Sequence, residues 1–275
     1  MTDVNDSAVP PPTLRRYKLT IAYDGSQFHG WQKQEPPNAE PLRTVAGVVE
    51  ATIARVLKQR VNLVGASRTD AGVHAKGQVA QFDAATRLPI ERMAEAINSR
   101  LPADVEIVTA EVAPPDFDAI QHVTSKCYRY RIFNTPRRPL GIRHMVYHFW
   151  HGLDVERMND AAARLVGTHD FEGFASAGHN RLTNGSTINA CQDEERGDGP
   201  PVARGDEKHS GVSGDGFLYN MVRIIAGTLI EVGRGRFEPT RIDEILASRD
   251  RAHAGPTVEA AGLCLEWIAY RQQAM

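Results

Sequence analysis

Between Tyr17 and Val112 the apolar residues recur first at every second position, then at every third or fourth, and the cycle repeats. This order constrains the fold more than any other property of the chain, because the two periods belong to strands and to helices. Tyr17, Leu19, Ile21 and Tyr23 alternate as on one strand face. A Gly-rich loop and the Pro-rich stretch from Glu35 to Pro41 follow. Thr44 then stands where an N-cap belongs, ahead of Val45, Val48, Val49, Ile53, Val56 and Leu57 at helical spacing. Val61 to Ala66 and Gln78 to Phe82 read as strands separated by a polar loop. Pro89 to Arg100 reads as an amphipathic helix through Ile90, Met93, Ala94 and Ile97, and Val105 to Val112 as a closing strand. The order β-α-β-β-α-β predicts a ferredoxin-like half with helices covering one face of an antiparallel sheet.

The second half has similar content in a looser arrangement. Tyr128 to Phe133 and Met145 to Trp150 read as strands, and Val155 to Val166 as a helix with Met158, Ala162, Leu165 and Val166 inward. Residues 192 to 212 are polar and read as a long loop. An apolar segment from Phe217 to Val232, a helix near Thr240 to Ser248 and a strand from Leu263 to Tyr270 complete the chain. The expected class is α+β: two ferredoxin-like or RRM-like halves with antiparallel sheets, helices on one face and an active-site cleft between them. Pro114 and Pro115 mark the boundary. The expected domains are 13–118 and 119–275, after a disordered tail over 1–12.

Composition narrows the function classes. At 275 residues and 41% hydrophobic the chain can bury a sizeable core without staples. No apolar run approaches the roughly 18 residues a membrane span needs. Met1 to Pro12 lacks a signal-peptide core, so a cytoplasmic location is expected. Cys127, Cys191 and Cys264 are too scattered for a disulfide framework or a thiolate zinc site. A net charge of −2 is by itself unfavourable for a nucleic-acid partner. Lys126, Arg129, Arg131, Arg137, Arg138 and Arg143 nevertheless form a run with no acidic residue among them, while Gln192 to Ser210 is acidic. The run reads either as a solvated strand edge or as an RNA-facing stripe.

Three features suggest chemistry. The loop from Gly65 to His74, Gly-Ala-Ser-Arg-Thr-Asp-Ala-Gly-Val-His, joins two expected strands. Arg68 two residues before Asp70 can keep a partly buried carboxylate ionised, and Gly72 two after permits a tight turn. An ionised, desolvated carboxylate serves as nucleophile or general base; an Asx-type turn with a surface ion pair is the plainer reading. Arg223 is the lone charge in the apolar run from Phe217 to Ile230. It either meets a carboxylate, with the Asp70 loop a candidate, or snorkels outward. Tyr128 and Tyr130 share one strand face, suited to stacking an unpaired base or to core packing, and Arg129 and Arg131 share the other. His144, His148 and His151 have no carboxylate in their run to complete a metal site, and Gly233-Arg-Gly235 is only a fragment of a dinucleotide fingerprint. No metal and no small-molecule cofactor is expected.

Taken together, Tyr23 to Gln32 (Tyr-Asp-Gly-Ser-Gln-Phe-His-Gly-Trp-Gln), Ser67 to Ala75, Lys126 to Tyr130, Gly216 to Arg223 (Gly-Phe-Leu-Tyr-Asn-Met-Val-Arg) with Gly227, and Ala254 to Thr257 followed by Gly262-Leu263 resemble the tRNA pseudouridine synthase A family. The motifs occur in the family's order over nearly the whole chain. The resemblance implies a cofactor-free isomerase that breaks the uracil N1–C1′ bond in tRNA, turns the base and rejoins it through C5, at positions 38 to 40 of the anticodon stem-loop. It implies that Asp70 is the catalytic aspartate, with attack on ribose C1′, attack on the base and removal of a ribose proton all open. Tyr128 matches the tyrosine that stacks on the target base, proton removal from C5 being a second role. Arg223 matches the arginine that pairs with the aspartate, and Arg68 the residue that helps hold the base out of the helix. A homodimer with tRNA across both subunits is also implied. Gln121, Cys127 and Asn189 depart from basic residues common in the family, which removes possible phosphate contacts. The strand usual before the Gly216 motif is not visible between Asn189 and Val212. A tRNA-binding relative without full activity, and a metal- or nucleotide-dependent enzyme, are the rival readings.

Overall fold

The computed structural model describes residues 11–34, 37, 40–176, 185–196 and 207–271. Most of the disordered tail expected over 1–12 therefore lies outside the described residues. The first half follows the predicted order: β1 (Leu14–Tyr23), α1 (Val45–Leu57), β2 (Val64–Gly65), β3 (His74–Ala85), α2 (Met93–Asn98) and β4 (Val105–Ala113). Tyr17, Leu19, Ile21 and Tyr23 are all buried, as the alternation requires. Tyr17 stacks on Phe82 with ring centroids 5.2 Å apart. The Thr44 hydroxyl caps α1 by accepting from the Gly47 amide at 3.3 Å. β2 is shorter than the expected strand: residues 61–63 lie outside it, and the chain leaves the sheet after Gly65 to form the Asp70 loop.

The remaining elements are β5 (Val123–Phe133), β6 (Tyr147–His148), α3 (Val155–Ala163), β7 (Gly167–Asp170), β8 (Gly185–Arg196), β9 (Glu207–Gly214), α4 (Met221–Gly233), α5 (Arg241–Ser248) and β10 (Leu263–Tyr270). The class is α+β. Among the described residues the strands form one ten-stranded sheet in the order β4-β1-β3-β10-β5-β9-β8-β7, with β2 added beside β3 and β6 beside β5. Two short parallel pairings make the sheet mixed. One of them, Cys264 to His74 and Leu265 to Ala75, joins β10 to β3 and so fuses the two expected sheets. It also brings the end of the Asp70 loop beside β10 and β5.

The strand expected over Met145 to Trp150 is only the two-residue β6, and Val166, expected inward, is exposed. A further expectation is overturned. The polar stretch from 192 to 212, read as a long loop, is largely two strands: β8 reaches Arg196 and β9 begins at Glu207. The segment between them, 197–206, lies outside the described residues. β9 is also the strand that was not visible ahead of Gly216. It escapes a hydrophobic reading because Glu207, Lys208, His209 and Ser210 are themselves buried. Both its edges are paired, to β5 and to β8, so backbone hydrogen bonds hold it in the sheet. The His209 contact, and then Arg131 at 2.5 Å, hold the Glu207 carboxyl at about 2 against its burial, far below the usual range.

α4 is buried on nearly every side, which its apolar composition demands. Gly227 permits that packing: a Cβ there would stand 1.9 Å from the Pro256 carbonyl oxygen. The Thr228 hydroxyl accepts from the Gly255 amide at 2.9 Å on the same face. The helix is thereby locked against the 254–257 segment, with its first turn beside the Asp70 loop.

Candidate active site

The Asp70 loop is shaped by its backbone. The Val73 amide donates to the Asp70 carbonyl at 3.1 Å, closing a turn in which Gly72 takes φ +79°, a value L-residues rarely adopt. The Tyr23 and Thr69 hydroxyls lie 2.7 Å apart, and the Trp31 amide donates to the Thr69 carbonyl at 3.0 Å. Gln78, fully buried on β3, donates to the Ser67 carbonyl at 2.7 Å. A strand, a turn and a buried amide thus fix the loop on both sides of Asp70, and a rigid scaffold is what a reacting group needs.

Opposite the loop stand β5 and the start of α4. Together they enclose a cleft of about 740 Å³ lined by Ser67, Arg68, Asp70, Lys126, Tyr128, Asn220 and Arg223, with Phe217, Leu218 and Leu263 as apolar walls. The size suits one nucleoside-sized guest. The Tyr128 and Ser67 hydroxyls are 2.9 Å apart, and Phe217 meets the Tyr128 ring edge-on at 5.1 Å. Lys126 donates to the Ala66 carbonyl at 2.9 Å and to the Ser67 hydroxyl at 3.3 Å. Burial pushes the Tyr128 phenol up to about 12, so it is neutral at pH 7.

Arg223 enters from the first turn of α4. Its Nη1 lies 3.9 Å from Asp70 Oδ2, an ion pair without a hydrogen bond. Its Nε donates to the Val258 carbonyl at 2.7 Å, and Nη1 donates to Asn220 Oδ1 at 2.9 Å. Burial raises the Asp70 carboxyl above its ordinary value, and the Arg223 charge opposes that rise. The lone charge of the apolar run therefore does meet a carboxylate.

The structure brings Asp70, Arg68, Tyr128 and Arg223 into the one cleft. Arg68 does not act as the local counter-ion its spacing suggested: its side chain is exposed and Arg223 is the cation that faces Asp70. Tyr130 is core, its hydroxyl donating to the Glu259 carbonyl at 2.7 Å. The basic run is not one stripe either. Arg129 and Arg131 face Glu266 and Glu207 on the opposite side of β5 from Tyr128, whereas Arg137, Arg138 and Arg143 are exposed beyond its end. Among the described residues no three of His, Cys, Asp and Glu form a metal-holding group, and His148 Nε2 is instead 2.8 Å from the Thr135 carbonyl.

Sequence reasoning gave no role to Gln78, nor to Ser67 and Asn220, although these two stand within the motifs from Ser67 to Ala75 and from Gly216 to Arg223. The hydrogen bonds that define the roles of Ser67 and Gln78, Ser67 to Tyr128 and Gln78 to the Ser67 carbonyl, form only once the loop and the strands are folded together. Asn220 was detectable: Asn is a favoured residue immediately before an apolar helix, and it tolerates the left-handed backbone, φ +60°, found there.

Comparison with known proteins covers the same elements. The family profile described as tRNA pseudouridine synthase matches residues 19–120 and 161–271. The chain is 42% identical over 257 residues to the "tRNA pseudouridine synthase A 2" of Clostridium perfringens, covering 94% of this chain and 100% of the relative. Identity is 42% over 257 residues to the tRNA pseudouridine synthase A of Acetivibrio thermocellus, again 94% and 100%. It is 43% over 253 residues to that of Moorella thermoacetica, covering 92% and 98%.

Proposed function

The chain belongs to the tRNA pseudouridine synthase family, and from that premise we propose that it isomerises uridines 38, 39 or 40 of the tRNA anticodon stem-loop, with Asp70 as the catalytic carboxylate. The observation that carries this reading is the meeting of Asp70, Arg223 and Tyr128 in one cleft, each contributed by a different element. The reaction is an isomerisation: N1–C1′ breaks, C5–C1′ forms, C5 loses a proton and N1 gains one. No oxidant or external group is consumed.

Each residue has a physical reason for its role. Asp70 is desolvated enough to react and faces a cation that favours its ionised form. Because Arg223 makes no hydrogen bond to it, an oxygen stays open toward the cleft. Tyr128, neutral and held by Ser67 and Phe217, offers a fixed surface for the turning base. Arg68, exposed at the mouth, is free to support the strand the base has left; flipping costs a few kcal/mol, least where pairing is weak. Tyr128→Phe is expected to keep most tRNA binding and lose turnover.

A homodimer and a cytoplasmic location belong to the same proposal. With Arg129 and Arg131 engaged by Glu266 and Glu207, the exposed cations of the basic run are Arg137, Arg138 and Arg143 at its end. A second subunit would double them. Carbodiimide mapping of pseudouridine in an unmodified tRNA after treatment with the protein tests the assignment. Stops at positions 38 to 40 are expected; stops confined to another arm of the tRNA would contradict it.

A further inference from the structure

Arg223 stands near Asp70, yet the geometry gives it two other engagements. Its nearest nitrogen is 3.9 Å from the carboxylate, beyond hydrogen-bond reach, while the same nitrogen donates to Asn220 Oδ1 at 2.9 Å. Since a guanidinium can only donate, the amide oxygen must face Arg223, and this leaves Asn220 Nδ2 to donate to the Ser176 hydroxyl at 3.1 Å. The backbone holds the amide in place as well. Asn220 has φ +60° and ψ 5°, and its carbonyl accepts the first α4 bond, from the Ile224 amide at 3.0 Å. Asn tolerates that conformation where most residues would be strained.

We propose that Asn220 is a positioning residue that tethers Arg223, so that its charge faces Asp70 without closing onto it as a hydrogen-bonded pair. A closed pair would occupy the carboxylate oxygens and draw electron density from them. The tether keeps the cation's field while leaving an oxygen free to react. If Asn220 Oδ1 is removed, a partly buried N–H loses its acceptor, and Asp70 Oδ2 is the ready alternative a few tenths of an ångström outside hydrogen-bond range. Arg223 should then swing onto Asp70. The other ionisable groups lining the cleft are Arg68, Lys126, Tyr128 and Tyr219, and both substitutions below leave them in place.

The inference rests on Asp70 being the reacting carboxylate, and the test separates the two claims. Asn220→Gly keeps the left-handed backbone and deletes the acceptor. Asn220→Asp keeps the acceptor and adds a charge that holds Arg223 away from Asp70. The Asp70 carboxyl is titrated by 13C NMR in the free, full-length protein with labelled aspartate, its signal assigned by loss in Asp70→Asn. The midpoint should move to lower pH in Asn220→Gly and to higher pH in Asn220→Asp. In turnover at saturating tRNA, Asn220→Gly should lose about tenfold in kcat with KM within about twofold, because positioning rather than binding is impaired. Midpoints that stay put, or move in the same direction in both variants, would overturn the tether and leave Asn220 only the left-handed residue that starts α4. Absence of turnover in the wild-type chain would instead refute the catalytic reading, and the titration would still decide the tether.

Discussion

A carboxylate serves as a nucleophile or base only if it is both ionised and unencumbered, and at Asp70 these requirements pull against each other. Burial raises its pKa, Arg223 lowers it, and the missing hydrogen bond keeps an oxygen open. The raised value has a consequence for stability. A carboxyl whose folded pKa exceeds its unfolded value near 4 disfavours folding once ionised; the penalty is absent at low pH and appears as pH rises through the two values. Asp70→Asn should therefore melt at or above the wild-type temperature at pH 7, with the gap closing below about pH 4. Arg223 would not be orphaned by the change, since Val258 and Asn220 still accept from it. A variant that melts lower at pH 7 would mean that the ion pair outweighs the burial. At this scale the sequence was informative where chemistry broke a local pattern, as with Asp70 between an Arg and a Gly, or Arg223 in an apolar run. It was uninformative for Ser67 and Gln78, whose work is done by hydrogen bonds across the fold.

The elements were legible in proportion to how far hydrophobic burial makes them. α1 and β10 follow their apolar spacing to the residue, and β1 extends three residues further, back to Leu14. β9 does not, because ion pairing and double-edged backbone pairing bury Glu207, Lys208 and His209 without apolar side chains. α4 appeared only as an apolar run, and its helical state depends on what it packs against. Gly227 tests that dependence. Gly→Ala in a helix interior gains about 1 kcal/mol from propensity. Here the added Cβ would stand 1.9 Å from the Pro256 carbonyl oxygen, where backbone must move. Overpacking should win: Gly227→Ala is expected to lose at least about 2 kcal/mol in urea denaturation, with activity falling as Asn220 and Arg223 shift. An unchanged or raised midpoint would show that the 254–257 segment yields without cost.

For the whole molecule the question is how a chain of net charge −2 holds a polyanion. The fold answers in part by sorting its charges: Arg129 and Arg131 are paired inside the sheet, while Arg68, Arg137, Arg138 and Arg143 stay exposed. The sequence showed the basic run but not this sorting, which depends on β9 and β10 lying beside β5. Asn189, exposed on β8, is where an added cation should register if RNA passes there. Asn189→Arg is expected to tighten tRNA binding and to steepen the log affinity against log salt slope by about 0.7 to 0.9. An unchanged slope across a salt series would place position 189 off the RNA path.

The central claim is that the Asp70 cleft performs the isomerisation. C5 of the target uridine loses its hydrogen only after the new C–C bond forms, so release of tritium from 5-tritiated uridine in unmodified tRNA reports the chemistry itself. The wild-type chain should release tritium without added metal or cofactor and Asp70→Asn should release none, although the variant still binds the tRNA. Release by Asp70→Asn at the wild-type rate would remove this carboxylate from the reaction and contradict the account.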